Sequence, residues 1–366
     1  MRRLLAAAAA VALFAGVVPA TASAAKAPRD FYGVVAQGGM NLTDAVMMNE
    51  AGVGTLRFHF DWRNIQTQPG RCQATAPTGV CDWTELDEAA GLFAVFNVRL
   101  FPYLLNVPWF IDADSNVPPI RSKGDREAWS DFVSAAVRRY GQGGIYWRKF
   151  FPDQFPDSKP KPVTHWEVWN EPSDGSYWKP QPNATEYAKL LKLTGRAIHE
   201  ANEKADVVFA GLFGTPTEDN NGIRAFNYYR KAFAVKGIGK AFDDVGVHPY
   251  GPTMKRVQTQ MGWVTEEMKE AGLADRDIWV TELAWSSSEP PTILGVGPEG
   301  QAKLLTTSFR YFEKMRERWN IAGLHWYSWQ DLPDGYPLCE FCEKSGLVTY
   351  GREPKPSYYA FQALTK

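Results

Sequence analysis

Two glutamates stand where a chain could use them for chemistry. Glu171 lies in the stretch "HWEVWNEPSDG" and Glu282 in "DIWVTELAW". Each closes an apolar run rich in β-branched and aromatic residues. A carboxylate carried to the end of a buried strand is costly to desolvate unless something pairs with it or uses it. A facing pair of carboxyl groups is what cleavage of a glycosidic bond requires. One is protonated and donates to the leaving oxygen; the other is ionised and attacks, or activates water. The bland reading is two strand-end carboxylates in surface ion pairs. Competing chemistries lack their residues: the sequence contains no G-x-S-x-G, and no H-E-x-x-H or P-loop.

Further polar side chains gather where other apolar runs stop. "TLRFHFDW" contains Arg57, His59 and Asp61, and "VRLFPYLL" contains Tyr103. Asn170 precedes Glu171, and "FDDVGVHPY" ends in His248 and Tyr250. "IAGLHWYSWQD" carries His325, Trp326, Tyr327 and Trp329. Glu167 falls two pleats before Glu171, so it should point inward and pair with an interior cation. His59, His165 and His325 read as satisfied polar residues rather than catalysts. Trp109, Tyr177, Trp178, Trp285, Trp326, Trp329 and Tyr336 fall near run ends or in the following loops. Rings there can stack on the apolar faces of sugars, although a core position is the default for any one tryptophan.

The elements that must position these residues alternate along the chain. Apolar runs near 31–37, 55–62, 98–105, 164–171, 206–212, 242–250, 277–285 and 321–331 read as strands, separated by helical stretches. "DREAWSDFVSAAVRRYG" repeats its apolar residues at helical spacing and has Gly141 at a C-cap position. Asn183 is an N-cap for the stretch that follows it. Eight strand–helix units predict an α/β chain folded as one (β/α)8 TIM barrel over 25–366, with long loops at its C-terminal face. An open doubly wound sheet is the alternative. Its dinucleotide-binding form would need G-x-G-x-x-G after the first strand, and "AQGGMN" does not fit. In a barrel, catalytic residues collect at the C-terminal strand ends, where the polar residues above fall.

Composition narrows the partners. Lys+Arg number 40 and Asp+Glu 41 among 366 residues, so no strong field would gather nucleic acid or a membrane surface. The chain begins "MRRLLAAAAAVALFAGVVPATASAAKAP", which has the layout of a secretory signal peptide cleaved after Ala24. An uncleaved anchor is the alternative, but the apolar run is short for a span of roughly 20 residues. The expected product is an exported, extracellular monomer with no membrane attachment. It acts on carbohydrate without cofactor or metal. After export Cys72, Cys81, Cys339 and Cys342 should form two disulfides. Local pairing, Cys72 with Cys81 and Cys339 with Cys342, is favoured over cross-pairing or a four-thiolate zinc site.

"WEVWNEP" followed by the glutamate of "WVTELAW", with "HPY" between them, resembles the retaining glycoside hydrolases of clan A. The tryptophan-rich run at 321–331 and the closing "GLVTYGREPKPSYYAFQAL" fit as well. The likeness is greatest to glycoside hydrolase family 39 and its bacterial relatives, with family 5 next, and covers roughly residues 30–364. The resemblance implies Glu171 as general acid/base and Glu282 as nucleophile. It implies that Asn170 bonds the 2-hydroxyl of the reacting sugar, and that Arg57 and Tyr250 support Glu282. His248 would lie near the subsite, and a tryptophan of the eighth strand, Trp326 in preference to Trp329, would floor it. Family 5 usually offers a histidine at the end of strand three, where Tyr103 is the nearest polar residue here. A catalytically silent sugar-binding barrel is a second reading, which the intact glutamate pair opposes. A lyase or aldolase is a third, but no Schiff-base lysine or metal cluster stands at a strand end. On the enzymatic reading Glu171 should have a raised pKa, helped by the charge of Glu282, and Glu282 a low one.

Overall fold

Eight short runs pair in chain order, all parallel, and the eighth returns to the first. The computed structural model describes residues 26–214, 222–289, 292–335 and 339–366. The strands are β1 (Tyr32–Val35), β2 (Thr55–Asp61), β3 (Arg99–Leu105), β4 (His165–Val168), β5 (Asp206–Phe209), β6 (Asp244–Val247), β7 (Asp277–Leu283) and β8 (Ile321–Trp326). They form one closed barrel, with Gly33 of β1 opposite Thr55 of β2 on one side and His325 of β8 on the other. The open sheet is thereby excluded. The helices are α1 (Leu42–Ala51), α2 (Trp62–Ile65), α3 (Thr84–Val95), α4 (Lys123–Tyr140), α5 (Phe151–Gln154), α6 (Ala184–Ala201), α7 (Ala225–Phe233), α8 (Met254–Glu270), α9 (Gly297–Trp319) and α10 (Pro356–Thr365). The signal sequence expected over 1–24 and the ring of Tyr336 lie outside the described residues.

Local chemistry sets the helix starts. Asn183 accepts from the backbone N–H groups of Thr185 and Glu186, capping α6 as its type predicts. Ser122 and Asp125 form a reciprocal capping box that starts α4. Both disulfides are local: Cys72 bonds Cys81, and Cys339 bonds Cys342. Among the described residues no helix is long and apolar enough to cross a membrane.

Inward-facing residues fill the barrel in layers. The lower layer is aromatic. The rings of Phe101, Trp279 and His325 lie within 5.8 Å of one another, and His165 stacks on Phe101 at 5.6 Å. Gly323 makes room for it, since a Cβ there would sit 2.3 Å from the Trp279 ring. The layer above is polar and holds Arg57, Glu167 and Thr281, all buried. Aromatic packing below thus separates that polar layer from the solvent at the foot of the barrel.

At the foot itself three strands begin with aspartate: Asp206, Asp244 and Asp277. Asp244 is buried, with His165 Nε2 3.6 Å from its carboxylate. Burial, then the charges of Asp206, Asp277 and Asp243, push its pKa up to about 8. The folded chain therefore keeps this proton to higher pH than the unfolded chain, whose aspartates release it near pH ~4. The stability tied to that proton is complete below pH ~4 and is lost as pH rises through about 8. Asp244→Asn should flatten this loss. Melting temperatures measured from about pH 5 to about pH 8 should fall less steeply for the variant than for the wild type; parallel curves would contradict the assignment.

Candidate active site

Both glutamates reach the barrel mouth through a break in strand regularity. β4 ends at Val168, three residues short of the run read from sequence. Trp169 has φ +77° and Glu171 φ +42°, left-handed values that cost ~1–3 kcal/mol for such residues and gather at functional sites. Surrounding bonds hold them there. The Trp169 N–H donates to Leu104 O at 2.8 Å and its indole N–H to Tyr177 O at 2.6 Å. The Glu171 N–H donates to Gly211 O at 3.2 Å. Strict alternation would send Asn170 and Glu171 to opposite faces. Leaving the strand at Trp169 lets both serve one site. On β7 the pairing with β8 shifts register between Val280 and Leu283. The neighbours Thr281 and Glu282 then both bond groups of the interior.

Arg57 is the centre of the arrangement. Its Nε donates to Glu167 Oε2 at 2.6 Å, its Nη1 to Glu282 Oε1 at 2.5 Å and its Nη2 to Asn170 Oδ1 at 2.8 Å. The guanidinium lies over the Tyr103 ring, 4.1 Å from its centroid. Tyr250 donates its hydroxyl to the other oxygen of Glu282 at 3.0 Å. Burial, and then the like charge of Glu171, raise the pKa of Glu282, while Arg57 and the Tyr250 hydroxyl pull it down. The expectation of a lowered value is corrected here: the cost of desolvation exceeds the help of the cation. A ligand oxygen of Glu171, a nitrogen of His248 and an oxygen of Glu282 all lie within 4.8 Å of one another. A cation could be held at that spacing, but Arg57 already places one charge against Glu282.

Glu171 is supplied with different partners. Its pKa is pushed up to about 8, by burial first and then by Asp174 and Glu167, against the pull of Arg57. Like-charge repulsion between Glu171 and Glu282 adds to the rise, as expected. A chain of hydrogen bonds acts in the same direction. Glu167 Oε1 accepts from the Gly211 N–H at 2.9 Å, and Thr281 Oγ1 lies 3.2 Å from it. Paired with Arg57, Glu167 only accepts, so the single hydroxyl proton of Thr281 is spent on it. Thr281 Oγ1 must then accept from His248 Nε2, 3.0 Å away. This assigns the tautomer and leaves His248 Nδ1 as an acceptor. Glu171 Oε1, at 2.7 Å, meets that acceptor best when it carries a proton. Burial lowers the pKa of His248 to about 4, so the ring is neutral near pH 7. Gly211 leaves room for the chain, since a Cβ there would stand 2.2 Å from His248 Nε2 and 2.5 Å from Thr281 Oγ1.

The tryptophans fall elsewhere. Trp326, Trp329 and Trp178 are fully buried, which corrects their assignment to a sugar-facing surface. Trp326 donates its indole N–H to Ser345 O, and Trp329 donates to Asp44. Trp178 packs between Trp169 and Tyr187. Tyrosines take their place. Tyr327, one residue beyond β8, is half-buried. Burial first, and then Glu282, Tyr177, Tyr103 and Glu171, raise its pKa. Tyr177 is 37% exposed, and Glu171 and Glu282 reinforce the effect of burial on its phenol. With Tyr103 and Tyr250, four protonated phenols surround the carboxylate pair. Sequence reasoning assigned Tyr327 no role and offered Tyr177 only as a sugar-stacking ring, and it passed over Thr281 and Asp174. The "TEL" of β7 was the available sign for Thr281.

No protein-family model matches the chain, and no curated protein matches its sequence. Solved structures do resemble it. One is a family 39 glycoside hydrolase from the gut symbiont Bacteroides cellulosilyticus, at 18% identity, covering 93% of this chain and 64% of that one, with a TM-score of 0.63. Another is a monomeric β-xylosidase from Caulobacter crescentus, at 19% identity, 93% and 69% coverage and a TM-score of 0.63. A third is a glucosidase from Croceicoccus marinus, at 14% identity, 94% and 68% coverage and a TM-score of 0.64. At these identities the likeness establishes the fold. The chain spans about two thirds of the length of these proteins.

The hydrogen-bond chain makes a prediction independent of activity. In Thr281→Val, His248 is free to carry its proton on Nδ1 and donate to an ionised Glu171. The titration midpoint of Glu171, followed by carbon-13 NMR of labelled glutamate, should fall by about one pH unit. An unchanged midpoint would show that burial alone sets it.

Proposed function

We propose that the protein is a secreted retaining glycoside hydrolase of family 39, cleaving β-glycosidic bonds by double displacement. The separation of the two carboxyl groups carries this reading. An oxygen of Glu171 lies within 4.8 Å of an oxygen of Glu282, which supports the ~5–5.5 Å spacing of retaining enzymes over the ~6.5–9.5 Å gap in which inverting enzymes place a water. The names of the similar structures make β-xylosides and glucosides the first substrates to try. The N-terminal stretch and the two disulfides support export.

In the first displacement the Glu282 carboxylate attacks the anomeric carbon while Glu171 gives its proton to the glycosidic oxygen. The aglycone leaves as an alcohol, and the sugar remains as an ester on Glu282. Asn170, held by Arg57, is placed to bond the 2-hydroxyl of that sugar. In the second displacement Glu171, now ionised, takes a proton from water. The water oxygen attacks the anomeric carbon, and the Glu282 carboxylate is released. The neutral acceptor at His248 Nδ1 gives ionised Glu171 no donor, which keeps it a strong base for this step.

The test is a pair of variants assayed against aryl β-glycosides of differing leaving group. Glu282→Gln should lose activity by about 10⁴-fold or more on every substrate. Glu171→Gln should lose about 10²–10⁴-fold with poor leaving groups and far less with a dinitrophenolate, which needs no proton. Wild-type kcat/KM should decline as pH rises through about 8, where Glu171 loses its proton. Wild-type rates in both variants would overturn the assignment.

A further inference from the structure

We propose that Phe341 is a positioning residue for the glycosidase site, and that the Cys339–Cys342 disulfide carrying it makes hydrolysis sensitive to thiol redox state. The proposal rests on the reading of Glu282 as nucleophile. After β8 the chain returns over the barrel mouth, and Cys339 and Cys342 close a single tight turn. The Cys342 N–H donates to Cys339 O at 3.1 Å within it. Only Glu340 and Phe341 lie between the two cysteines.

Phe341 turns its ring onto two tyrosines of the site. Its centroid lies 5.4 Å from that of Tyr250 and 6.3 Å from that of Tyr327, and those two lie 6.4 Å from each other. These are contact separations for tilted and edge-on aromatic pairs. Tyr250 is the residue whose hydroxyl donates to Glu282 Oε2. It lies outside the regular part of β6, so packing by Phe341 and by Phe213 at 5.6 Å helps to fix its ring. Tyr327 accepts a hydrogen bond from Gln37 and faces the same cleft.

The far side of the turn is anchored. Cys342 is buried, and its carbonyl accepts from Ser345 Oγ at 3.1 Å. Glu343 O accepts from the Leu332 N–H, and Lys344 O from Lys355 Nζ. The disulfide ties Cys339 to this anchored side and fixes the direction in which Phe341 leaves the turn. A dithiol reductant would open it by exchange. The two cysteines gain two electrons and two protons, and the reductant becomes its own disulfide. Phe341 is then free to swing, and Tyr250 loses part of the packing that aims it at Glu282.

The test compares Phe341→Ala, Phe341→Leu and the double variant C339S/C342S with wild type. The double variant C72S/C81S serves as a control for disulfide loss elsewhere. On an aryl β-glycoside, Phe341→Ala and C339S/C342S should lower kcat about tenfold. They should also move the acidic limb of the pH profile upward, because Glu282 loses a donor that favours its charge. Phe341→Leu should restore part of both, and C72S/C81S should leave the limb in place. A limb unmoved in Phe341→Ala and C339S/C342S, whatever their melting temperatures, would overturn the proposal. A limb moved equally by C72S/C81S would overturn the role of the Cys339–Cys342 bridge. If wild type hydrolyses no glycoside, the functional reading fails by itself. Carboxylate titration of Glu282 by carbon-13 NMR then decides the coupling, with a raised midpoint in Phe341→Ala supporting it and an unchanged one refuting it.

Discussion

The guanidinium of Arg57 is buried, and a buried cation is tolerated only when its donors are matched by acceptors of good geometry. Its three donating nitrogens reach Glu167, Glu282 and Asn170, which come from β4, from β7 and from the chain just past β4. That demand ties three separate parts of the barrel to one point. It also explains why the layer beneath is aromatic: Phe101, Trp279, His325 and His165 keep water from the foot of the barrel away from the charges. Removing any one acceptor would leave the cation short of a partner in a dry interior. Removing Arg57 would leave two facing carboxylates unpaired.

Around this centre, two glutamates with similar burial acquire opposite characters. Glu282 faces donors: Arg57 on one oxygen and Tyr250 on the other. Glu171 faces an acceptor, His248 Nδ1, and the negative charges of Asp174 and Glu167. Glu167 serves both sides. It neutralises part of Arg57, and through Thr281 it sets the tautomer of His248. Polarity therefore runs in one direction from Glu167 to Glu171, and the proton rests at the end of the chain on Glu171, the acid of the proposed mechanism.

Much of this was legible in the residues, and the boundary of what was legible has a physical cause. Strand–helix alternation carried the closed barrel, because parallel strands need a crossover helix each time. The resemblance to clan A hydrolases implied Arg57 and Tyr250 as supports of Glu282, and both donate to its carboxylate. Spacing favoured the local disulfides over cross-pairing, and the local pairs are the ones formed. Side-chain direction past the strand ends was not readable. Trp326 and Tyr327 are adjacent, and only the point at which β8 stops decides that the tyrosine faces the cleft and the indole enters the core. The same holds for Trp178, drawn inward by Trp169 and Tyr187. The contribution of Asp174 to the Glu171 shift was not readable either, because Asp174 reaches the site by a turn that alternation does not foresee.

Whether Glu171 and Glu282 work as acid and nucleophile is read most directly from the stereochemistry of hydrolysis. Proton NMR of an aryl β-glycoside during turnover should show the β-anomer of the free sugar first, with the α-anomer following only by mutarotation. If the α-anomer forms first, water attacks directly from the far side. A covalent ester on Glu282, and the close pairing of the two carboxyl groups as its basis, would then both be wrong.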